Sequence, residues 1–201
     1  MLHHTKAVTR IVDKSLVVAD MPFMSYQSSI EEGIRNAGLF IKDANADAVK
    51  IEGGIFRSKL IESLVNNGIP VLGHIGLTPQ SIKQIGGYKV QGKTDLDHEK
   101  IINDALAVEK SGAFAVVLEC IPKKLSKKIS DLISIPTIGI GAGLNCDAQI
   151  LVISDLLGFT NKSLPKFAEN YIDIYSLSKN AIQKFKKDVE NNNFPKDEQS
   201  Y

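Results

Sequence analysis

Apolar residues in this chain gather into short β-branched runs separated by stretches with helical spacing. The runs cover residues 15–20, 48–52, 70–74, 113–120, 135–140 and 150–153. Short apolar runs bounded by turn residues read as buried strands of a parallel sheet. After the first run, Ser28 or Ser29 stands as an N-cap before Glu31 and Glu32, and Ile34, Ala37, Gly38 and Ile41 follow at helical spacing. A second helix is predicted over about 55–67. Thr78 then caps a turn that opens on Pro79. A long helix follows over 96–111, a basic helix after Ile121-Pro122, and an amphipathic helix from 165 to about 191. Residues 192–201 form a polar, frayed tail.

Alternation of strands with helices is the signature of an α/β fold. Six strand–helix units are counted, with no boundary between them, so residues 1–201 read as one domain. A closed (β/α)8 barrel has eight such units. The count alone leaves an open doubly wound sheet as an alternative. The polar, glycine-rich stretch 86–93 reads as a candidate lid beside the strand ends.

Composition changes this picture little. The 201 residues are 43% hydrophobic and 23% charged, with formal net charge +1, which gives no electrostatic case for nucleic acid or an anionic membrane. No apolar stretch approaches the ~20 residues of a membrane span. Met1 to Lys6 has no signal-peptide apolar region. Cys120 and Cys146 have no metal-site spacing and suggest no disulfide, so a reducing, cytoplasmic setting is expected.

The chemistry lies at the strand ends. Four successive runs close on ionisable residues: Asp20, Glu52, His74 and Glu119. In a β/α barrel the C-terminal strand ends share one face, and that face carries the active site. Each residue also has a plainer reading. Asp20 can be a turn former before Met21-Pro22, His74 a satisfied core histidine, and Glu119 one half of a buried ion pair. Lys50 lies two residues before Glu52, on the same side of its strand, and an inward lysine needs a partner such as Asp20 or Glu52. Carboxylates converging beside a histidine and a lysine point to a divalent cation with an acid/base centre. Gly139-Ile140-Gly141-Ala142-Gly143 lacks the spacing of a dinucleotide fingerprint and reads as close backbone approach at the barrel mouth.

At these residues the sequence resembles the ketopantoate hydroxymethyltransferase family. The resemblance rests on Val18-Ala19-Asp20-Met21-Pro22-Phe23-Met24-Ser25-Tyr26, Val49-Lys50-Ile51-Glu52-Gly53-Gly54 and Gly73-His74-Ile75-Gly76-Leu77-Thr78-Pro79-Gln80. It continues through Gly86-Gly87-Tyr88-Lys89-Val90-Gln91-Gly92, Leu118-Glu119-Cys120-Ile121-Pro122, Ile138-Gly139-Ile140-Gly141-Ala142-Gly143 and Pro165-Lys166-Phe167-Ala168, in family order.

It implies a (β/α)8 TIM barrel of the phosphoenolpyruvate/pyruvate type, here incomplete, with about six of the eight units. It implies transfer of a hydroxymethyl group from 5,10-methylenetetrahydrofolate to 3-methyl-2-oxobutanoate. The product is 2-dehydropantoate (ketopantoate), on the pantothenate and coenzyme A route, made through an enolate stabilised by Mg²⁺. By matching motif, Asp20 and Glu52 are metal carboxylates, and Asp20, Lys50 and His74 contact the substrate. Glu119 is the proton acceptor. The resemblance also implies a homo-oligomer, decameric in the family. The family's Gly-Asp-Ser-Leu-Gly-type motif, with a further metal ligand, is not in the chain, and Met1-Leu2-His3-His4-Thr5 matches the helix after it. From this departure the chain is expected to be poorly active and aggregation-prone alone. A binding-only subunit and a related 2-oxo-acid carbon–carbon lyase are the alternatives.

Overall fold

The computed structural model describes residues 1–201, which form two compact units, 1–150 and 151–201. In the first unit the order is α1 (Leu2–Thr9), β1 (Val18–Asp20), α2 (Ile30–Lys42), β2 (Ala48–Glu52), α3 (Ser58–Asn66), β3 (Val71–Gly76), α4 (Ile82–Ile85), α5 (Asp95–Lys110), β4 (Ala115–Glu119), α6 (Lys123–Leu132), β5 (Thr137–Ile140) and β6 (Ala148–Gln149). The strands form one parallel sheet in the order β1-β2-β3-β4-β5-β6. Each strand therefore pairs with the next in the chain and the winding never reverses. A doubly wound sheet reverses at its switch point, whereas a β/α barrel does not. The sheet is a six-stranded arc of a barrel, with β1 and β6 at its edges.

Side-chain alternation along the strands sorts the core into two faces. Val49, Ile51, Val71, Ile75, Val116 and Leu118 pack with Ala37, Phe40, Leu60, Leu64, Ala105 and Val108 of the helices. Leu72, Ala115, Val117 and Ile140 form a separate cluster on the opposite, concave face. Gly73 keeps the outer face close-packed, because a Cβ there would run into Val108. The ionisable strand residues share the concave face's parity: Asp20 with Val18, Lys50 and Glu52 with Ala48, His74 with Leu72, and Glu119 with Val117.

Local signals explain most boundaries. Of the two serine candidates, Ser29 is the N-cap of α2, and its hydroxyl accepts the Glu32 N–H at 3.1 Å. Ser29→Ala is expected to lower unfolding free energy by about 1 kcal/mol, read from the shift of a urea denaturation midpoint. Thr78 precedes Pro79 as expected, but its side chain makes no capping bond and the turn is a short 3₁₀ segment, Pro79–Ser81.

Several boundaries differ from the sequence expectation. β1 starts at Val18, because the Val17 N–H is taken by the Asp47 carboxylate at 2.7 Å, outside the ladder. β3 runs past His74 to Gly76, where its ladder with β4 pairs Gly76 with Glu119. The last strand is not 150–153 but Ala148–Gln149. Asp147 anchors it by accepting the Thr137 N–H at 2.8 Å, and the ladder is spent once the Ile150 N–H bonds Gly139.

The second unit begins instead with a short helix, α7 (Ile153–Leu156). Its long helix, α8 (Ile174–Glu190), starts nine residues later than the expected 165. Asp173 caps it, accepting the Ser176 N–H at 2.9 Å, and the irregular segment before it is tied by Tyr171 N–H to Leu156 O at 2.9 Å. Residues 192–201 are exposed and carry one 3₁₀ turn, Asp197–Gln199. No helix is long and apolar enough to cross a membrane.

Candidate active site

The five residues expected to carry the chemistry converge on the concave face. Register places Asp20 beside Lys50 on β1 and β2, and Glu52 beside His74 on β2 and β3. Lys50 Nζ lies 2.8 Å from Asp20 Oδ1, 3.9 Å from Glu52 Oε1 and 3.2 Å from His74 Nδ1. The other ring nitrogen, His74 Nε2, lies 3.1 Å from Glu119 Oε2. An ammonium has donors only, so Nδ1 accepts in its contact with Lys50, while Nε2 is buried close to Glu119 without an aligned hydrogen bond. His74 thus has a charged neighbour at each ring nitrogen. It links the lysine to the glutamate, with its side chain 3% exposed.

A second network fixes Glu52. Burial pushes its carboxyl above the usual carboxylate range, opposed by His74, Lys50 and the Gln80 N–H. That N–H donates to Glu52 Oε2 at 3.0 Å. Gln80 Nε2 donates to the Met21 carbonyl at 2.7 Å, and Gln80 Oε1 accepts from Tyr26 Oη and Gln27 Nε2, both at 2.8 Å. Tyr26 Oη in turn accepts the Glu52 N–H at 3.2 Å, and burial raises its phenol well above the ordinary tyrosine range. Arg57 stacks its guanidinium over Tyr26, 5.6 Å from the ring centre. Tyr26, Gln27, Arg57 and Gln80 were not expected as site residues. Tyr26 and Gln80 lie within the recognisable motif stretches, but nothing local says that they grip Glu52.

Gly76 holds the Glu119 end of the site. Its φ is +89°, and a Cβ would run into the Glu119 carbonyl oxygen. That oxygen accepts the Leu77 N–H at 2.9 Å. Gly76→Ala is expected to cost about 1–3 kcal/mol in backbone strain and to lower kcat by displacing Glu119. A denaturation midpoint together with initial rates checks it.

Two cavities open at the loops that follow β2 and β3. One, of about 440 Å³, is lined by Tyr26, Glu52, Arg57 and Gln80. The other, of about 700 Å³, lies against the ends of β2 and β3 and is lined by Gly53, Gly76, Lys89, Lys100 and Asp104. The 86–93 stretch, expected as a lid, forms a wall of this larger cavity and is tied down by Gln91 N–H to Cys120 O at 2.8 Å.

Asp104 Oδ1 accepts the Ile55 N–H at 2.9 Å, and burial raises its carboxyl above the usual range. A carboxyl with a raised folded value weakens the fold as pH climbs from its ordinary to its raised value, and the deficit then persists. Asp104→Asn keeps an acceptor for Ile55 and removes the charge. Its Tm is expected to exceed that of the parent at pH 7–8 and to match it near pH 4, as scanning calorimetry would read.

The glycines at 139–143 do allow close approach, as expected. Gly139 faces Cys146 and Gln149, and a Cβ at Gly143 would press on Lys123. Both cysteines are free, and burial lifts the Cys120 thiol to about 11.

The donors fit a hard divalent cation in kind. Asp20 and Glu52 supply two carboxylates, and Asp20 Oδ1 is buried without an aligned hydrogen bond, although Lys50 sits at ion-pair distance. No group of three or more His, Cys, Asp or Glu side chains is placed to enclose a metal. Mg²⁺ characteristically takes one or two protein carboxylates and completes its shell with water and substrate oxygens.

A family profile described as Ketopantoate hydroxymethyltransferase matches residues 1–197. The 3-methyl-2-oxobutanoate hydroxymethyltransferase of Carboxydothermus hydrogenoformans is 53% identical over 201 residues, which are 100% of this chain and 73% of that protein. Its counterpart in Syntrophus aciditrophicus is 49% identical over 100% of this chain and 74% of its own. A Burkholderia cenocepacia structure of phosphonomutase type aligns with TM-score 0.55 at 11% identity, covering 95% of this chain and 76% of that one, a likeness of fold alone. A profile spanning all but the last four residues, with relatives about half identical along the whole chain, shows that the chain belongs to the ketopantoate hydroxymethyltransferase family, a family of transferases.

Proposed function

We propose that this chain transfers a hydroxymethyl group from 5,10-methylenetetrahydrofolate to 3-methyl-2-oxobutanoate, giving 2-dehydropantoate, as a cytoplasmic homo-oligomer. The observation that carries this reading is the line Asp20–Lys50–His74–Glu119, with a carboxylate and an ammonium on one side of the imidazole and a second carboxylate on the other. Asp20 and Glu52 would hold Mg²⁺. Bound there, the ion supplies Lewis-acid charge at the keto and carboxylate oxygens of a 2-oxo acid. Lys50 adds a positive charge at the same oxygens and orients the substrate. Glu119 removes the proton from C3, with the His74 ring beside its carboxylate. Water adds to the methylene carbon as both of its carbon–nitrogen bonds to the carrier break and the carrier nitrogens take up protons; the electron pair left on C3 bonds to that carbon, and its oxygen, protonated, becomes the hydroxyl. Tetrahydrofolate leaves.

The test is carbon transfer from ¹³C-methylene donor to 3-methyl-2-oxobutanoate, followed by NMR. Labelled 2-dehydropantoate that needs Mg²⁺ and is abolished by a chelator is expected. Transfer that survives complete chelation, or no transfer by the soluble chain, would refute the reading. A second reading, a subunit that only associates, is favoured by the edge strands β1 and β6, each paired on one side only. Oligomerisation in native mass spectrometry without turnover would support it.

A further inference from the structure

We propose that Tyr26 and Gln80 are positioning residues that set the span between the Asp20 and Glu52 carboxylates, so that the two can share one divalent cation. The inference rests on the cation reading above and assigns the residues that turn a pair of carboxylates into a site.

A Mg²⁺ shell is near-octahedral and tolerates little misplacement of its ligands. The strands alone fix Asp20 and Glu52 loosely. The two residues lie on different strands, and β1 has only three residues and pairs on one side. Asp20 Oδ1 is buried without an aligned hydrogen bond, so no protein donor steers it.

A one-way chain of hydrogen bonds supplies the restraint. The Glu52 N–H donates to Tyr26 Oη at 3.2 Å, the Tyr26 hydroxyl donates to Gln80 Oε1 at 2.8 Å, and Gln80 Nε2 donates to the Met21 carbonyl at 2.7 Å. It runs from the last residue of β2 to the residue after Asp20, by way of the loop after β3. The Met21 N–H is held by the Lys50 carbonyl at 3.3 Å, so both peptide groups that flank Met21 are tied down. The Gln80 N–H takes Glu52 Oε2 at 3.0 Å, which leaves Oε1 as the oxygen nearest Lys50 and His74.

The chain works in one direction only. A hydroxyl carries a single hydrogen. Tyr26 spends it on Gln80, so a lone pair is left for the Glu52 N–H. Gln27 Nε2 fills the second acceptor site of Gln80 Oε1 at 2.8 Å. Position 80 thus needs an amide, with one end accepting and the other donating. A carboxylate there would set a negative oxygen against the Met21 carbonyl. Tyr26 is 2% exposed, so water does not compete for its hydroxyl.

Titration of the full chain with Mn²⁺ alone, standing for Mg²⁺ and read by the paramagnetic resonance of the free ion, tests the positioning role. The parent is expected to bind Mn²⁺ saturably. Tyr26→Phe and Gln80→Met, which keep side-chain size, are each expected to weaken it about 10–100-fold, the range for lost partners of metal ligands. The double variant is expected to be no weaker than the weaker single, because either change cuts the same chain. Ser29→Ala lowers stability away from the site and is expected to keep the parent's affinity, which separates positioning from loss of fold. Parent-like affinity in either single variant, full additivity in the double, an equal loss in Ser29→Ala, or no saturable binding by the parent overturns the proposal. The transfer reading fails separately. Weakened variants with no ¹³C transfer by the parent sink that reading and leave the positioning role standing. Chelator-sensitive ¹³C transfer with parent-like variant affinities does the reverse.

Discussion

Glu119→Gln lowers kcat by about 10²–10⁴-fold, the scale of a lost general base, with little change in KM for the 2-oxo acid. The substitution is nearly isosteric, and Glu119 sits at the end of β4, so the apolar strand Ala115–Leu118 beneath it is undisturbed. The amide keeps its place beside His74 Nε2. What disappears is the ability to take a proton. The sharpest measurement is exchange of the C3 proton of 3-methyl-2-oxobutanoate in D₂O, followed by NMR without any one-carbon donor. That half-reaction needs only the base and the charge at the keto oxygen. Exchange by Glu119→Gln at the parent rate would remove Glu119 from the role.

Lys50→Met raises KM for the 2-oxo acid about 10–100-fold, the range of one charge-assisted hydrogen bond, and destabilises the fold as well. The ammonium touches Asp20, Glu52 and His74 at once, and the Glu52 side chain is only 5% exposed. Removing one partner leaves a buried carboxylate short of its compensating charge. Asp20 is 47% exposed and screened by water, so the cost is about 1–3 kcal/mol rather than that of a fully buried pair. Urea denaturation and initial rates at varied substrate separate the two effects. A changed midpoint with unchanged KM would make Lys50 a structural counter-ion only.

Much of the site was legible in the sequence because strand alternation is local. A period of two puts Lys50 and Glu52 on one side and Val49 and Ile51 on the other, whatever the rest of the chain does. Glycine and proline marked where the strands ended within a few residues. The same logic failed at 150–153, where an apolar, β-branched run became a loop and a short helix. Strand propensity there lacked a ladder to join, since β5 has only four residues and its pairing with β6 ends at Gly139. At 165 the helical spacing was real but the start was not, because Asp173 supplies the cap.

What the chain determined by itself was therefore the parity of each strand and the ionisable groups placed at their ends. The arrangement of those groups came from tertiary structure. Parallel register, set by pairing across dozens of residues, brought His74 between Lys50 and Glu119 and made four separate strand ends one connected line. The same long-range packing folded Gln80 and Tyr26 back onto Glu52. Side-chain direction along a strand is decided by neighbouring peptide units, whereas distances between strands depend on how the whole sheet curls.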